Sequence, residues 1–258
     1  MLSSKFGVQN GVFRSIAELT NSNTTFFGSY SWDDASISTP DNYNTKTQLG
    51  PSRRQNGLLT LQHLFSPTVI NNTRAGVSRT YAGNNLDCCA KIPVLGQYGS
   101  PLSFVPGRPV GSFNVGGISN GRFGGVFTDG MNVFTYTSPQ FYNDLSWTTG
   151  RHTIKMGFAF ERVQDNMEQQ NRANGLWTFG SIRDMLTVNP NQFSADLPNT
   201  DGRRGQRQSV MGAYVQDDFR LRSNLTINVG VRYETTTVLK EVNGKVANLR
   251  YEIGRAHV

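Results

Sequence analysis

The chain has 258 residues, a net charge of +7, 36% hydrophobic residues and only 17% charged ones, with Ser, Thr, Asn, Gln and Gly filling the remainder. A soluble domain of this length usually carries more Leu, Ala, Glu and Lys. No run approaches the ~18 consecutive apolar residues of a spanning helix, which excludes helical spans and leaves strands open.

In chain order, alternating apolar and polar residues predict strands near 11–20, 24–33, 55–65, 68–80, 132–148, 152–164, 204–220 and 224–237. They pair as hairpins across turns at Asn21-Ser22-Asn23, Ser66-Pro67, Thr149-Gly150-Arg151 and Leu221-Arg222-Ser223-Asn224. Polar connections of roughly 20, 50 and 40 residues separate successive hairpins, far above the usual length. Short turns alternating with long connections are the pattern of an outer-membrane β-barrel, with short turns on the periplasmic side and long loops outside.

The strand faces carry the same message. Leu225, Ile227, Val229, Val231 and Tyr233 share one face of the last strand, and Thr226, Asn228, Gly230, Arg232 and Glu234 share the other. Ile154, Met156, Phe158 and Phe160 likewise oppose Thr153, Lys155, Gly157, Ala159 and Glu161. An unbroken apolar face opposite ionic residues suits lipid outside and a polar lumen inside. Leu225 to Tyr233 covers roughly 26 Å at ~3.3 Å per residue, the scale of a thin outer membrane. In 204–220, Met211, Ala213 and Val215 share a face with Asp217, so either that carboxylate sits at the water interface or a bulge intervenes. The face assignment of Leu58-Leu59-Thr60-Leu61 stays open.

Phe65, Trp147 and Phe219 stand just before short turns and predict a periplasmic aromatic girdle, with Trp32, Phe160 and Tyr233 near the opposite strand ends. In the third connection, 175–179 extends as a strand and Ser181 caps a short helix over 181–186. The stretch from Ala82 to Gly130, rich in Gly, Pro and Asn, is expected to fold over the barrel mouth or to be mobile. Its glycines Gly116, Gly117, Gly121, Gly124 and Gly125 have no phosphate-loop lysine in register and predict a flexible loop.

Other chemistries find little footing. Cys88 and Cys89 are adjacent, where a vicinal disulfide would be strained, and lack CxxC spacing; they are read as incidental or locally paired rather than as a metal site. The densest basic cluster, Arg203-Arg204-Gly205-Gln206-Arg207, lacks aromatic interleaving and is read as a solvated loop base rather than a nucleic-acid site. Outward basic groups could instead meet anionic lipopolysaccharide or an anionic ligand. The pairs Asp33-Asp34 and Asp217-Asp218 sit at strand ends, where an interfacial role outweighs acid/base chemistry. No G-x-S-x-G elbow and no metal-spaced His/Cys/carboxylate cluster occurs. The reading is therefore a non-enzyme with no catalytic residue, no cofactor site, no metal site and an unknown ligand-binding set.

Phe141-Tyr142-Asn143-Asp144-Leu145-Ser146-Trp147-Thr148-Thr149-Gly150-Arg151-His152-Thr153-Ile154-Lys155-Met156-Gly157 resembles the D-x-S-W-x-x-G-x-H-x-x-K-x-G hairpin of TonB-dependent receptors. Met211-Gly212-Ala213-Tyr214-Val215-Gln216-Asp217-Asp218-Phe219-Arg220, followed by 225–234, is similar to a second hairpin of the same barrels. His63-Leu64-Phe65-Ser66-Pro67-Thr68 resembles the H-x-F-S-P-T hairpin of the Oar-like branch, whose members add a carboxypeptidase-regulatory-like domain. The resemblance implies a cell-outer-membrane location and energised uptake through a barrel of ~22 strands. It also implies a TonB complex acting through a plug that has no counterpart in these residues, and a ligand such as a siderophore, cobalamin, glycan or peptide. Arg74, Lys155, Glu161, Arg232 and Glu234 would face the lumen, toward plug or substrate or simply as a hydrated wall.

The expected organisation is thus a partial barrel domain over 1–252, about eight strands of a larger barrel. An adapter-like tail over 253–258 follows, since Ile253-Gly254-Arg255-Ala256-His257-Val258 can be encoded by ATC GGA AGA GCA CAC GTC, which resembles a sequencing adapter read in frame. The N-terminal Met1–Asn10 has no apolar signal core, so an export signal is expected upstream. A surface adhesion protein on the same barrel and a soluble glycan-binding β-sandwich are the alternative readings.

Overall fold

Period-two alternation produces long antiparallel strands here. The computed structural model describes residues 7–84, 86–88, 92–118, 122–124, 131–170, 172–197 and 200–245. The first elements are β1 (Gly7–Thr20), β2 (Thr24–Pro40), β3 (Thr47–Ser66), β4 (Val69–Asn84) and β5 (Leu86–Cys88). Next come α1 (Pro93–Gly96), β6 (Ser112–Val115), β7 (Arg122–Gly124), β8 (Met131–Thr149) and β9 (His152–Gln170). The chain continues with β10 (Leu176–Phe179), α2 (Ile182–Leu186), β11 (Gln192–Ser194), β12 (Arg203–Arg222), β13 (Leu225–Thr236) and β14 (Lys240–Glu241).

A ten-stranded sheet runs in the order β1-β2-β3-β4-β8-β9-β12-β13, with β5 added to β3 and β14 to β12. Every pairing in it is antiparallel. The sheet is open, with β1 and β13 at its edges, so it forms an arc of a β-barrel wall.

All four predicted turns close hairpins. Asn21 Oδ1 accepts the backbone N–H groups of Asn23 (3.0 Å) and Thr24 (2.7 Å), holding the first. Gly150 takes φ +59° at the tip of the third, a left-handed conformation that glycine adopts without steric cost. The fourth carries a register shift between Arg220 and Arg222.

The strands run further than the sequence pattern indicates. The first long connection, expected to occupy roughly 20 residues, contracts to Asp41–Lys46. There the Asp41 carboxylate accepts the N–H groups of Thr45 (2.6 Å) and Lys46 (3.2 Å). The reason is physical: above the bilayer both faces of a strand meet water, so the apolar alternation that marks a strand disappears while backbone pairing continues.

The buried apolar side chains among the described residues are Val110, Val115, Ala173, Leu176 and Phe179, all within the two long connections. The main sheet has no such core. Its apolar side chains stand exposed in one continuous face, Val229 (66%), Val231 (67%) and Tyr233 (69%) among them. A soluble sandwich would bury that face against a second sheet, and the soluble alternative is therefore set aside. Among the described residues no helix is long and apolar enough to cross a membrane. Cys88 ends β5, while Cys89 and the 253–258 tail lie outside the described residues.

Candidate functional site

Strand alternation carries Arg74, Lys155, Glu161, Arg232 and Glu234 to one face of the sheet, the inward one. Arg74 reaches Asp144 at 2.6 Å and lies 5.5 Å from the centroid of the Tyr142 ring. Tyr214 donates its hydroxyl to the same carboxylate at 2.9 Å. That reach spans three strands, since Tyr214 on β12 and Asp144 on β8 both pair with Gly157 on β9. A Cβ at 157 would meet the Tyr214 ring at 2.4 Å and the Asp144 carboxylate at 2.6 Å, so only glycine leaves this crossing open. Lys155 pairs with Asp218 at 2.7 Å, which also accepts from Gln216 at 2.9 Å. Arg232 donates to Glu234 at 2.6 Å, and Glu161 accepts from Ser138 and from Gln140 (3.2 Å).

Sequence reading missed Tyr142, Asp144, Tyr214 and Asp218 as members of this face. Their parity relative to Lys155 and Arg232 could have found them. The pair Asp217-Asp218 is split by the same parity: Asp218 points inward, while Asp217 points outward to His152 Nδ1 at 2.6 Å. Asp33 and Asp34 diverge in the same way, Asp34 pairing outward with Arg53 at 2.6 Å. Adjacent carboxylates on opposite faces cannot share a proton or a substrate. The inward pairs are largely exposed, so water screens them; their effect is to fix a polar wall rather than to stabilise the fold.

The two long connections fold together outside the membrane. β6 from the first pairs in parallel with β10 from the second, and β7 and β11 complete a four-stranded sheet in the order β11-β10-β6-β7. Gly111 and Gly116 flank β6, and a Cβ there would lie 2.3 Å from the Gly175 carbonyl and 2.2 Å from the Gly180 carbonyl respectively. Phe104, Phe113, Trp177 and Phe193 cluster beside this junction, with Trp177 and Phe193 centroids 4.5 Å apart. The Thr45 hydroxyl lies 3.4 Å from the Gly124 carbonyl, bringing the Asp41–Lys46 connection to the same place.

The glycine-rich stretch expected to be flexible is thus partly folded, with Gly116, Gly117 and Gly124 in or beside the loop sheet. Gly121 and Gly125 lie outside the described residues. β10 and the α2 helix stand where the sequence places them, with Ser181 accepting the Asp184 N–H at 3.2 Å.

The basic cluster at 203–207 begins β12 rather than ending a loop. Arg203 pairs with Glu168 at 3.3 Å, and Arg204 donates to the carbonyls of Asp201 (2.6 Å) and Arg203 (2.8 Å). Nearby, a hydrogen bond from Lys245 and the Arg203 N–H hold the Asp201 carboxyl below the usual range. The N–H groups of Lys245, Gly205 and Asn243 do the same for Glu241. Burial pushes Asp196 up, against the opposing charge of Arg108. No group of three or more His, Cys, Asp or Glu able to hold a metal occurs among the described residues.

A sheet with one lipid-suited face, one charged face and folded outer connections matches the family model described as "Outer membrane beta barrel domain" over residues 15–255. The chain belongs to that family. Among solved structures, it is similar to the outer membrane transporter YddB from Escherichia coli, with a TM-score of 0.51 and 12% identity over 90% of this chain and 28% of that one. The chain therefore spans under a third of the length of that transporter. A search of curated proteins returns no match.

The outward face of this outer-membrane barrel can now be read as a lipid surface. Phe65, Trp147 and Phe219 point outward at the periplasmic ends, Phe219 stacking on His152 with centroids 4.5 Å apart. Trp32, Phe160 and Tyr233 each stand eight positions past the first residue of their strands (24 to 32, 152 to 160, 225 to 233). They place a second set of aromatic side chains toward the opposite strand ends. Asp217 sits close to the periplasmic turn, without a bulge at its own position, and the outward His152 satisfies one oxygen. Between the girdles, Asn71, Thr73 and Asn143 bond to one another at 2.8–3.1 Å, which offsets the cost of polar groups facing lipid.

Proposed function

We propose that residues 1–252 are part of the barrel of a TonB-dependent outer-membrane receptor, a non-enzymatic transporter that captures a ligand outside and takes it up with energy from the inner membrane. The observation that carries this reading is the joining of two long outer connections into one sheet beyond an inward wall of ion pairs. Such an arrangement supplies a capture surface followed by a hydrated, charged path, which a simple anchor does not need. The hairpin motifs around Trp147 and Tyr214 support the TonB-dependent and Oar-like assignment. The plug and TonB box would belong to other parts of the same protein, and the inward Arg74, Lys155 and Glu161 would face that plug.

The test is uptake in the native bacterium with and without the gene. Labelled ferric siderophores, cobalamin, oligosaccharides and peptides are offered as separate probes, with and without a protonophore. One probe class should lose uptake on deletion and on collapse of the proton gradient. Undiminished uptake of every probe, with impaired cell-to-cell contact, would mark a surface adhesion protein instead.

A further inference from the structure

Beyond the upper girdle, the outward face changes character. Arg79 stands in the register row of Trp32, through Gln55, and Arg162 stands two residues past Phe160 on the same face of β9. Arg53 and Arg207 follow higher on the same face of β3 and β12. Register places Arg79 beside Gln55 and Thr137, and Arg207 beside Gln164. These arginines therefore occupy neighbouring outward rows across β3, β4, β8, β9 and β12.

Their partners leave the charge largely unneutralised. Arg162 donates to the Ser209 hydroxyl at 2.8 Å. Arg207 donates to Asn166 Oδ1 and to the Gln206 carbonyl, both at 2.8 Å. Arg53 pairs with Asp34, the one carboxylate in these rows among the described residues. Arg79 carries no hydrogen bond or ion pair there. A cluster of guanidinium groups on the lipid-facing side, continuous with the apolar band and just above it, meets the membrane where headgroups begin. Guanidinium forks match phosphate oxygens in bidentate geometry, and basic side chains at such a surface attract anionic lipid.

We infer that Arg79, Arg162 and Arg207 form a binding surface for the phosphorylated headgroup of an outer-leaflet lipid, with the acyl chains lying against the apolar face below. Location selects a lipid over free phosphate, because the surface faces sideways into the leaflet rather than into the lumen or a loop cleft. Gln55 and Gln164, between the arginines, add neutral donors for sugar hydroxyls of such a headgroup.

The experiment uses the full-length protein refolded into phosphatidylcholine vesicles containing diphosphorylated lipid A, then extracted in mild detergent and assayed for retained lipid A per protein by native mass spectrometry. The R79Q/R162Q/R207Q variant should retain on the order of a hundredfold less, and R79Q alone about fivefold less. R183Q/R222Q, whose arginines lie on α2 and at the periplasmic turn, should match the wild type. Dephosphorylated lipid A should be retained by the wild type no better than by the triple variant. Heat-modifiable migration checks folding, and R79Q removes a side chain that makes no hydrogen bond or ion pair among the described residues, so it tests the proposal even where the triple variant misfolds. Equal retention by R79Q and wild type, or equal retention of phosphorylated and dephosphorylated lipid, would overturn the assignment.

Discussion

Replacing Gly157 with alanine places a methyl group where the Tyr214 ring crosses β9 toward Asp144. The new Cβ would stand 2.4 Å from Tyr214 Cε1, 2.6 Å from Asp144 Oδ1 and 2.9 Å from the Asn143 carbonyl. Ordinary contact begins near 3.4 Å, so ring and carboxylate must both withdraw by about an ångström, which breaks the 2.9 Å Tyr214–Asp144 bond. Overpacking of this kind costs about 1–3 kcal/mol. The lost bond, partly replaced by water, adds about 1 kcal/mol, while alanine recovers about 0.5–1 kcal/mol of backbone entropy. The net expectation is a loss of about 1–3 kcal/mol, measured by equilibrium urea unfolding of the full-length protein in lipid vesicles. Y214F, which removes the bond without a clash, should lose about 1 kcal/mol. In a Y214A background the Gly157→Ala cost should shrink by at least about 1 kcal/mol, since the main clashing group is gone. Wild-type stability for G157A, or an identical G157A cost in both backgrounds, would refute the crossing.

Further expectations follow from the two faces. Val215 pairs with Val231 and Met156 on the neighbouring strands, so V215R should cost about 2–4 kcal/mol in vesicles, while N228R, pointing inward, should change stability by less than about 1 kcal/mol. N143A should cost about 1–3 kcal/mol by removing the two amide bonds to Asn71 and the one to Thr73 on the lipid-facing side. The triple replacement N71L/T73V/N143L should be close to neutral by the same measurement, because it removes every partner together. Glu241 accepts the N–H groups of Gly205 (2.9 Å), Asn243 (2.8 Å) and Lys245 (2.7 Å), which hold its folded pKa below the unfolded one. The β14 turn is therefore fully held above the usual glutamate range and loosens as pH falls through the lowered folded value. The protection factors of the Asn243 and Lys245 amides, with the intrinsic pH dependence of exchange divided out, should fall only in that acidic window, and E241Q should show the lower protection already at neutral pH.

Strand faces were legible in the sequence wherever lipid lies on one side, because a membrane demands an apolar residue at every second position. Leu225–Tyr233 and Ile154–Phe160 were assigned to the correct face on that ground, and the turns at Asn21 and Gly150 announced themselves by residue type. Strand length was not legible. Beyond Arg79 and Arg162 both faces are wet, and nothing in residues 34–40 or 47–54 distinguishes paired strand from loop. The loop sheet was half legible: β10 carries Trp177 and Phe179 in strand spacing, but its partner β6 lies some 60 residues earlier in the chain and pairs in parallel, a non-local contact that no local pattern encodes. The inward network was visible through its longest charged members, whereas Tyr214 and Asp144 required the register that places both against Gly157.

The central claim is that this sheet presents one face to lipid and the other to a hydrated lumen. A nitroxide scan from Ile227 to Arg232, on the full-length protein in vesicles, tests it most directly. Ile227, Val229 and Val231 should be accessible to oxygen dissolved in lipid and shielded from a water-soluble nickel chelate, while Asn228, Gly230 and Arg232 should show the opposite. The same chelate accessibility at all six positions would contradict the two-faced wall and, with it, the barrel orientation on which the functional reading rests.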